Sequence, residues 1–111
     1  MVGYCHCEMC RRASGAPVTV WATFPVASVE FPRTAPTLRP SSDIASRGFC
    51  AACGSALLWQ GKASAHLMDI AVGTADEPER LAPREHLWTG NAISWLHVED
   101  ALPRHRRERK S

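Results

Sequence analysis

The sequence lacks any long hydrophobic run. No apolar stretch approaches the length of about 20 residues that a membrane-spanning helix requires. The first residues also lack the basic region and the apolar core of a secretory signal peptide. These absences argue against a membrane partner and against export, so we expect a cytoplasmic protein.

Aromatic residues are also few, and neither sign of charge is in large excess. The net charge is +2 over 111 residues, and aromatic residues make up 7% of the chain. Hydrophobic residues at 45% and charged residues at 22% match ordinary globular usage, which argues against a disordered chain. A chain of this length has room for one hydrophobic core, so we predict a single domain over residues 1–103.

The basic residues are concentrated at the C-terminus. Residues 104–111 contain five basic residues and one acidic residue, whereas the rest of the chain is slightly acidic. This basic tail could contact nucleic acid. A short terminal run is more often frayed and solvated, however, so we do not expect a nucleic-acid partner.

Five cysteines are the most informative residues, and they fall into two groups: Cys5, Cys7 and Cys10, and then Cys50 and Cys53. In a reducing compartment, clustered cysteines are metal ligands or redox thiols more often than disulfides, and an odd number argues against a closed disulfide set. We predict that all five bind metal. The expected ion is zinc, because zinc prefers thiolate ligands in a tetrahedral shell.

The spacing of the cysteines leaves two arrangements open. In the first, Cys7 and Cys10 join Cys50 and Cys53 in a four-sulfur structural site, and Cys5 is left over. In the second, Cys5, Cys7 and Cys10 hold an ion of their own. Three protein ligands leave one open position, which is the arrangement of a catalytic zinc that activates an incoming thiol, water or carbonyl.

A redox dithiol of thioredoxin type at Cys50 and Cys53 is the main alternative to metal binding. Such a motif precedes a long helix in a βαβ unit. Here Gly54 and a strand pattern follow the second cysteine pair, so the spacing favours metal over redox chemistry.

The hydrophobic pattern predicts a mainly β domain of short strands. Alternating residues indicate strands at 18–24, 65–72 and 85–89, and residues 47–60 indicate a metal-binding knuckle of strand, tight turn and strand. Residues 11–15 indicate a short helix or turn that ends at a glycine. Four prolines predict a long loop over residues 25–46 with only short edge strands, such as one at 29–31. These prolines are Pro25, Pro32, Pro36 and Pro40.

Two motifs carry a resemblance to a known family. Residues 4–17 have the sequence YCHCEMCRRASGAP, and residues 49–55 have the sequence FCAACGS. Together they closely resemble the two signatures of the glutathione-dependent formaldehyde-activating enzyme / centromere protein V family. Weaker similarity extends to about residue 103.

The resemblance implies a β-tent-like fold of short antiparallel strands with two zinc ions. Cys5, Cys7 and Cys10 would hold the catalytic zinc, and Cys50 and Cys53 would hold half of a structural zinc. In the family, the other half comes from a CxCG motif on an upstream strand, and this sequence contains no such motif. An upstream segment, a second subunit in a homodimer, or regrouping of the five cysteines around fewer ions would each resolve the difference.

The resemblance also implies a carbon-sulfur lyase-type activity, in which a thiol such as glutathione adds reversibly to an aldehyde such as formaldehyde. Arg11 and Arg12 directly follow the first cysteine group, and guanidinium groups bind carboxylates in a bidentate manner. We therefore predict that these two arginines bind substrate. The alternative function is a non-catalytic zinc-binding module that binds a partner.

Three further polar residues have predicted positions. His6 lies between two ligands and would point away from their metal in an extended segment, towards the surface or behind the ligands. His66 shares a strand face with apolar residues, which predicts a core histidine, and Asp69 on the opposite face is predicted to be solvated. The tryptophans are expected in the core, at subunit contacts or in a pocket wall near the metal: Trp21, Trp59, Trp88 and Trp95.

Overall fold

The computed structural model describes residues 1–109. They form one seven-stranded sheet and one α-helix, so the prediction of a mainly β fold is confirmed. The order of strands across the sheet is β3-β4-β5-β6-β2-β1-β7. The elements are β1 (Val2–Cys5), α1 (Glu8–Ser14), β2 (Thr19–Pro25), β3 (Thr37–Ser42), β4 (Ala45–Phe49), β5 (Ala56–Gly61), β6 (Leu67–Ala71) and β7 (His86–Leu87).

The sheet is mixed rather than purely antiparallel. β7 pairs with β1 in parallel, with Tyr4 opposite His86, whereas the other strand pairs are antiparallel. The predicted antiparallel arrangement is therefore wrong at this edge. A parallel pair requires a long connection between its strands, and here most of the chain lies between β1 and β7.

The segment from residue 25 to residue 46 is more ordered than its prolines suggested. The predicted strand at 29–31 does not form, and Val26–Ser28 makes a 3-10 turn instead. β3 forms further on and contains Pro40. A short edge strand was predicted within this segment, but it forms at 37–42 rather than at 29–31, and an edge strand tolerates a residue without an N–H group. A loop with Pro32 and Pro36 remains over residues 29–36.

Directly opposed residues of the antiparallel strands define two faces of the sheet. One face, called here the core face, carries Ala22, Leu58 and Ile70, of which the first two are buried to 1% exposure. The other face carries a row of mostly polar or aromatic side chains from five strands and is called here the cavity face. Its members include Cys5, Thr23, Asp69, Trp59 and Arg47.

Residues 104–109 of the basic tail lie against the sheet. The His86 amide donates to the Pro103 carbonyl at 2.9 Å, and the His105 amide donates to the His86 carbonyl at 2.8 Å. The expectation of a frayed terminus is therefore wrong for residues 104–109, because β7 offers unpaired backbone groups that these residues satisfy. Lys110 and Ser111 lie outside the described residues. Within residues 1–109, no helix has the length and hydropathy needed to cross a bilayer.

Replacing Gly48 with alanine should destabilise the fold by about 1–3 kcal/mol. An added Cβ at Gly48 would lie 2.6 Å from Cγ of Leu58, which is fully buried on the core face. Gly73→Ala is the matched control, since an added Cβ there has nothing within 4 Å. Denaturant unfolding of both variants measures the effect, and equal unfolding midpoints for the two would contradict this packing.

Candidate metal centre

Cys5, Cys7 and Cys10 come together where β1 runs into α1. Cys5 is the last residue of β1, Cys7 caps the N-terminus of α1, and Cys10 lies in its first turn. The Cys10 amide donates to Cys7 Sγ at 3.3 Å, which closes this turn. As a result, the three sulfurs lie within 4.8 Å of one another.

The geometry of the three sulfurs fits a metal ion. Two sulfurs bound to one tetrahedral zinc ion, each at about 2.3 Å, lie about 3.8 Å apart. Cys5 Sγ and Cys10 Sγ are separated by 3.8 Å, and both residues are buried. Three soft thiolate donors at this spacing could hold a metal ion with one position left over.

A cavity of about 420 Å³ lies next to the three cysteines, which form part of its wall. This volume falls within the range of small-molecule sites. Trp21, Trp59 and Trp88 also line it, and its charged residues are Glu8, Arg47, Asp69 and Arg109. Trp95, by contrast, is 66% exposed and lies outside the core.

The surroundings of the thiols distribute their protons unequally. Hydrogen bonds from Cys5 and Cys7, together with the Arg47 guanidinium at 3.4 Å, hold the pKa of Cys10 well below that of an ordinary thiol. The pKa of Cys5 is raised because its S–H group donates to Cys10 and because it is buried. The cluster therefore carries its first negative charge on Cys10, beside a buried arginine.

A family model for the glutathione-dependent formaldehyde-activating enzyme matches residues 1–91. The chain belongs to this family. The match covers the cysteine cluster, the knuckle and most of the cavity wall, and it ends before the tail. No curated protein matches the chain significantly.

In this member of the family, Asp69 faces the cavity. The prediction that Asp69 is solvated is therefore wrong. Its Oδ1 accepts a hydrogen bond of 2.5 Å from Thr23 Oγ1 on the neighbouring strand. Burial raises the pKa of Asp69, and the Thr23 hydrogen bond opposes this rise. The sequence pattern placed Asp69 on the face opposite Ile70, but it did not indicate that this face of β6 borders a cavity.

His66 is exposed, and the prediction of a core histidine is wrong. It precedes the first residue of β6, so it does not share the inward-facing side of the strand with the half-buried Ile70. Its position lies in the turn that leads into the strand.

His6 points away from the three sulfurs, as predicted, but it is buried rather than on the surface. Its Nε2 lies 2.9 Å from His86 Nδ1, and His86 Nε2 lies 2.9 Å from Asp100 Oδ2. Tyr4 stacks on the His86 ring. Burial lowers the pKa of His6, and the nearby His86 and Arg104 lower it further. These contacts anchor the segment between Cys5 and Cys7.

Arg11 and Arg12 do not line this cavity. Arg12 forms an exposed ion pair with Glu8, and Arg11 donates to the Asn91 carbonyl at 3.4 Å. Their role in substrate binding stays a prediction. The guanidinium groups in the cavity wall belong to Arg47 and Arg109. The sequence analysis missed them because neither lies near the first cysteine group in the sequence.

Cys50 and Cys53 form the predicted knuckle turn. The Gly54 amide donates to the Cys50 carbonyl at 2.7 Å, and Gly54 has φ of 80°, a conformation that glycine favours. Within residues 1–109, neither cysteine belongs to a cluster of three potential ligands, so the four-sulfur arrangement with Cys7 and Cys10 is wrong. A metal on this pair, and a homodimer that completes its shell, stay predictions.

Replacing Arg47 with glutamine should make the metal centre more sensitive to acid. Cys10 must be a thiolate to bind metal, and the variant loses a hydrogen bond that keeps its pKa low. The pH at which half the metal is lost should therefore rise, by roughly 0.5–1.

A pH titration of the Co²⁺-thiolate absorption band measures this change. Arg39→Gln is the matched control, because Arg39 lies opposite Arg47 on β3 and is exposed. An unchanged midpoint in Arg47→Gln would contradict the assigned contact.

Proposed function

We propose that the chain is a zinc-dependent carbon-sulfur lyase-type enzyme that adds a thiol such as glutathione reversibly to an aldehyde such as formaldehyde. Family membership suggests glutathione-dependent formaldehyde activation. The observation that carries the proposal is the cluster of three sulfurs in the wall of a ligand-sized cavity. We also propose a cytoplasmic location, which suits a chain whose five cysteines are free.

Cys5, Cys7 and Cys10 would hold the zinc ion. A zinc ion bound there would supply a Lewis-acidic position that favours the thiolate form of a bound thiol. Arg47 offsets part of the negative charge of the cluster by donating to Cys10 Sγ. The three tryptophans of the cavity wall limit the access of water to the thiol and the aldehyde.

The reaction requires the transfer of one proton. A carbon-sulfur bond forms, the π electrons of the carbonyl move to its oxygen, and the proton of the thiol ends on that oxygen. Asp69 is the carboxyl group on the cavity face, and Thr23 fixes one of its oxygens. Because burial raises the pKa of Asp69, it is suited to accept the thiol proton and return it to the oxygen.

The tail does not favour the alternative of a nucleic-acid-binding zinc module. Arg104 donates to Asp100 and to the Val98 carbonyl. This positive charge is therefore engaged within the protein rather than displayed to a phosphate backbone.

Cys7→Ser should abolish the formation of S-hydroxymethyl thioether, with a loss of turnover of more than about a hundredfold. The serine oxygen is a poor replacement for the third thiolate, so metal content and turnover should fall together. Elemental analysis and product detection by NMR measure the two quantities. Ser14→Ala, an exposed change in the same helix, serves as the control, and unchanged turnover in Cys7→Ser would refute the proposal.

Asp69→Asn should lower kcat by roughly 10²–10⁴ while leaving metal content and thiol affinity near those of the wild type. Asparagine has almost the same shape and can still accept from Thr23, but it cannot transfer the proton. Steady-state kinetics at saturating thiol test this expectation. Asp76→Asn, outside the cavity, is the control, and an equal kcat in both variants would exclude Asp69 from proton transfer.

A further inference from the structure

We infer that Arg109 binds a carboxylate group of the thiol substrate. The inference rests on the proposed function in one respect, namely that the ligand of the cavity is a thiol. Arg109 lies beyond residues 1–91, the part of the chain that matches the family model, yet it lines the cavity together with the three cysteines. The family match therefore does not assign a role to it.

Backbone hydrogen bonds carry the tail to the cavity. The Trp88 amide donates to the Arg107 carbonyl at 2.8 Å, and the Thr89 amide donates to the His105 carbonyl at 3.0 Å. Trp88 itself has φ of 58°, an uncommon conformation for a bulky residue. The tail thus binds the same segment that supplies Trp88 to the cavity wall, and it places Arg109 at that wall.

Glu85 fixes the Arg109 side chain from behind. Glu85 Oε2 accepts from Nε of Arg109 at 2.7 Å and also from Nη2. The Glu85 side chain is 4% exposed and lies outside the cavity wall, whereas Arg109 is 39% exposed and lines it. A ligand in the cavity would therefore meet the guanidinium and not the carboxylate.

Gly3 makes room for this arrangement. An added Cβ at Gly3 would lie 3.1 Å from Cγ of Glu85, so a larger residue on β1 would press on the carboxylate that holds Arg109. His105 lies on the other side, with Nε2 3.4 Å from Glu85 Oε1. The buried carboxylate is thus enclosed by β1 and the tail.

The chemistry and the spacing of Arg109 suit a carboxylate. Nε and Nη2 bind Glu85, and among residues 1–109 the Nη1 group has no hydrogen-bond partner, which leaves donors for a second anion. Gly3, beside Glu85, lies two residues from Cys5 on the same strand, so the Cα atoms of Gly3 and Cys5 are about 7 Å apart. Arg109 and the cysteines line the same cavity, and a thiol of tripeptide size can extend over more than this strand spacing.

The neighbouring charges do not replace Arg109 in this role. Arg47 already donates to Cys10 Sγ. Asp69 repels a carboxylate only when ionised, and its pKa is raised by burial. Arg109 is therefore the cavity guanidinium that remains for a ligand.

The test is calorimetric binding of S-methylglutathione to the zinc-loaded full chain. This probe keeps both carboxylates but has no free thiol, so the result does not depend on catalysis. In Arg109→Gln the affinity should fall roughly tenfold to a hundredfold. In Arg107→Gln, an exposed change in the same tail, it should not change.

Two further measurements distinguish a lost carboxylate contact from unfolding of the variant. The double variant Glu85→Gln with Arg109→Gln removes both charges of the buried pair, and it should show the same loss of affinity with a wild-type Tm. The diethyl ester of S-methylglutathione should bind wild type and Arg109→Gln equally.

Wild-type affinity in either Arg109 variant, or no binding of S-methylglutathione to the wild type at millimolar concentration, would overturn the inference. Turnover of 2-mercaptoethanol with formaldehyde tests the proposed function separately. If the wild type turns over 2-mercaptoethanol and Arg109→Gln still binds S-methylglutathione with wild-type affinity, the carboxylate site is refuted and the proposed function is not.

Discussion

The convergence of three sulfurs at the junction of β1 and α1 is the constraint on which the rest of the site depends. Three thiols can approach to within 4.8 Å only if the chain changes from an extended to a helical path between Cys5 and Cys10. β1 is held on both sides, by β2 and by β7, so Cys5 has a fixed position in the sheet. A metal bound there would tie the helix to the middle of the fold, and its ligands would form one wall of the cavity.

One face of the sheet forms the hydrophobic core, and the other lines the cavity. The core face packs small and aliphatic residues, and behind β1 lie the buried His6 and His86, with Asp100 hydrogen-bonded to His86 from the outside. The cavity face collects charged and aromatic groups from strands that are distant in sequence. Because alternate residues of one strand serve opposite faces, the same short strands build the core and supply the chemistry.

The sequence predicted the local features better than the distant ones. The cysteine cluster was predictable because its members lie within six residues, and the knuckle because Gly54 follows Cys53. Arg47 and Asp69 enter the cavity through strand order and register, which alternation along a single strand does not specify. Arg109 enters it through the docked tail. Arg11 and Arg12 were chosen for their proximity in sequence, but a helix that begins at Glu8 carries their side chains to other partners.

Among the strands, too, those defined by a local pattern were predicted and those that depend on distant contacts were not. The alternating pattern predicted the positions of β2 and β6 within a few residues, since each strand buries one face against a neighbour. β3 was not predicted because its proline argues against a strand, and only its edge position makes that proline acceptable. The docked tail was also missed, because arginine-rich ends are usually solvated and nothing in the sequence indicates a strand edge in need of partners.

The docked tail also limits how this sheet could grow. β7 is hydrogen-bonded to β1 on one side and to residues 103–105 on the other, so its backbone groups are not available to a strand from another molecule. At the opposite border, Pro40 lacks an N–H group and the β3 register shifts between Pro40 and Ser42. At both borders, pairing with a second copy of the chain would therefore form fewer backbone hydrogen bonds than a regular edge strand offers.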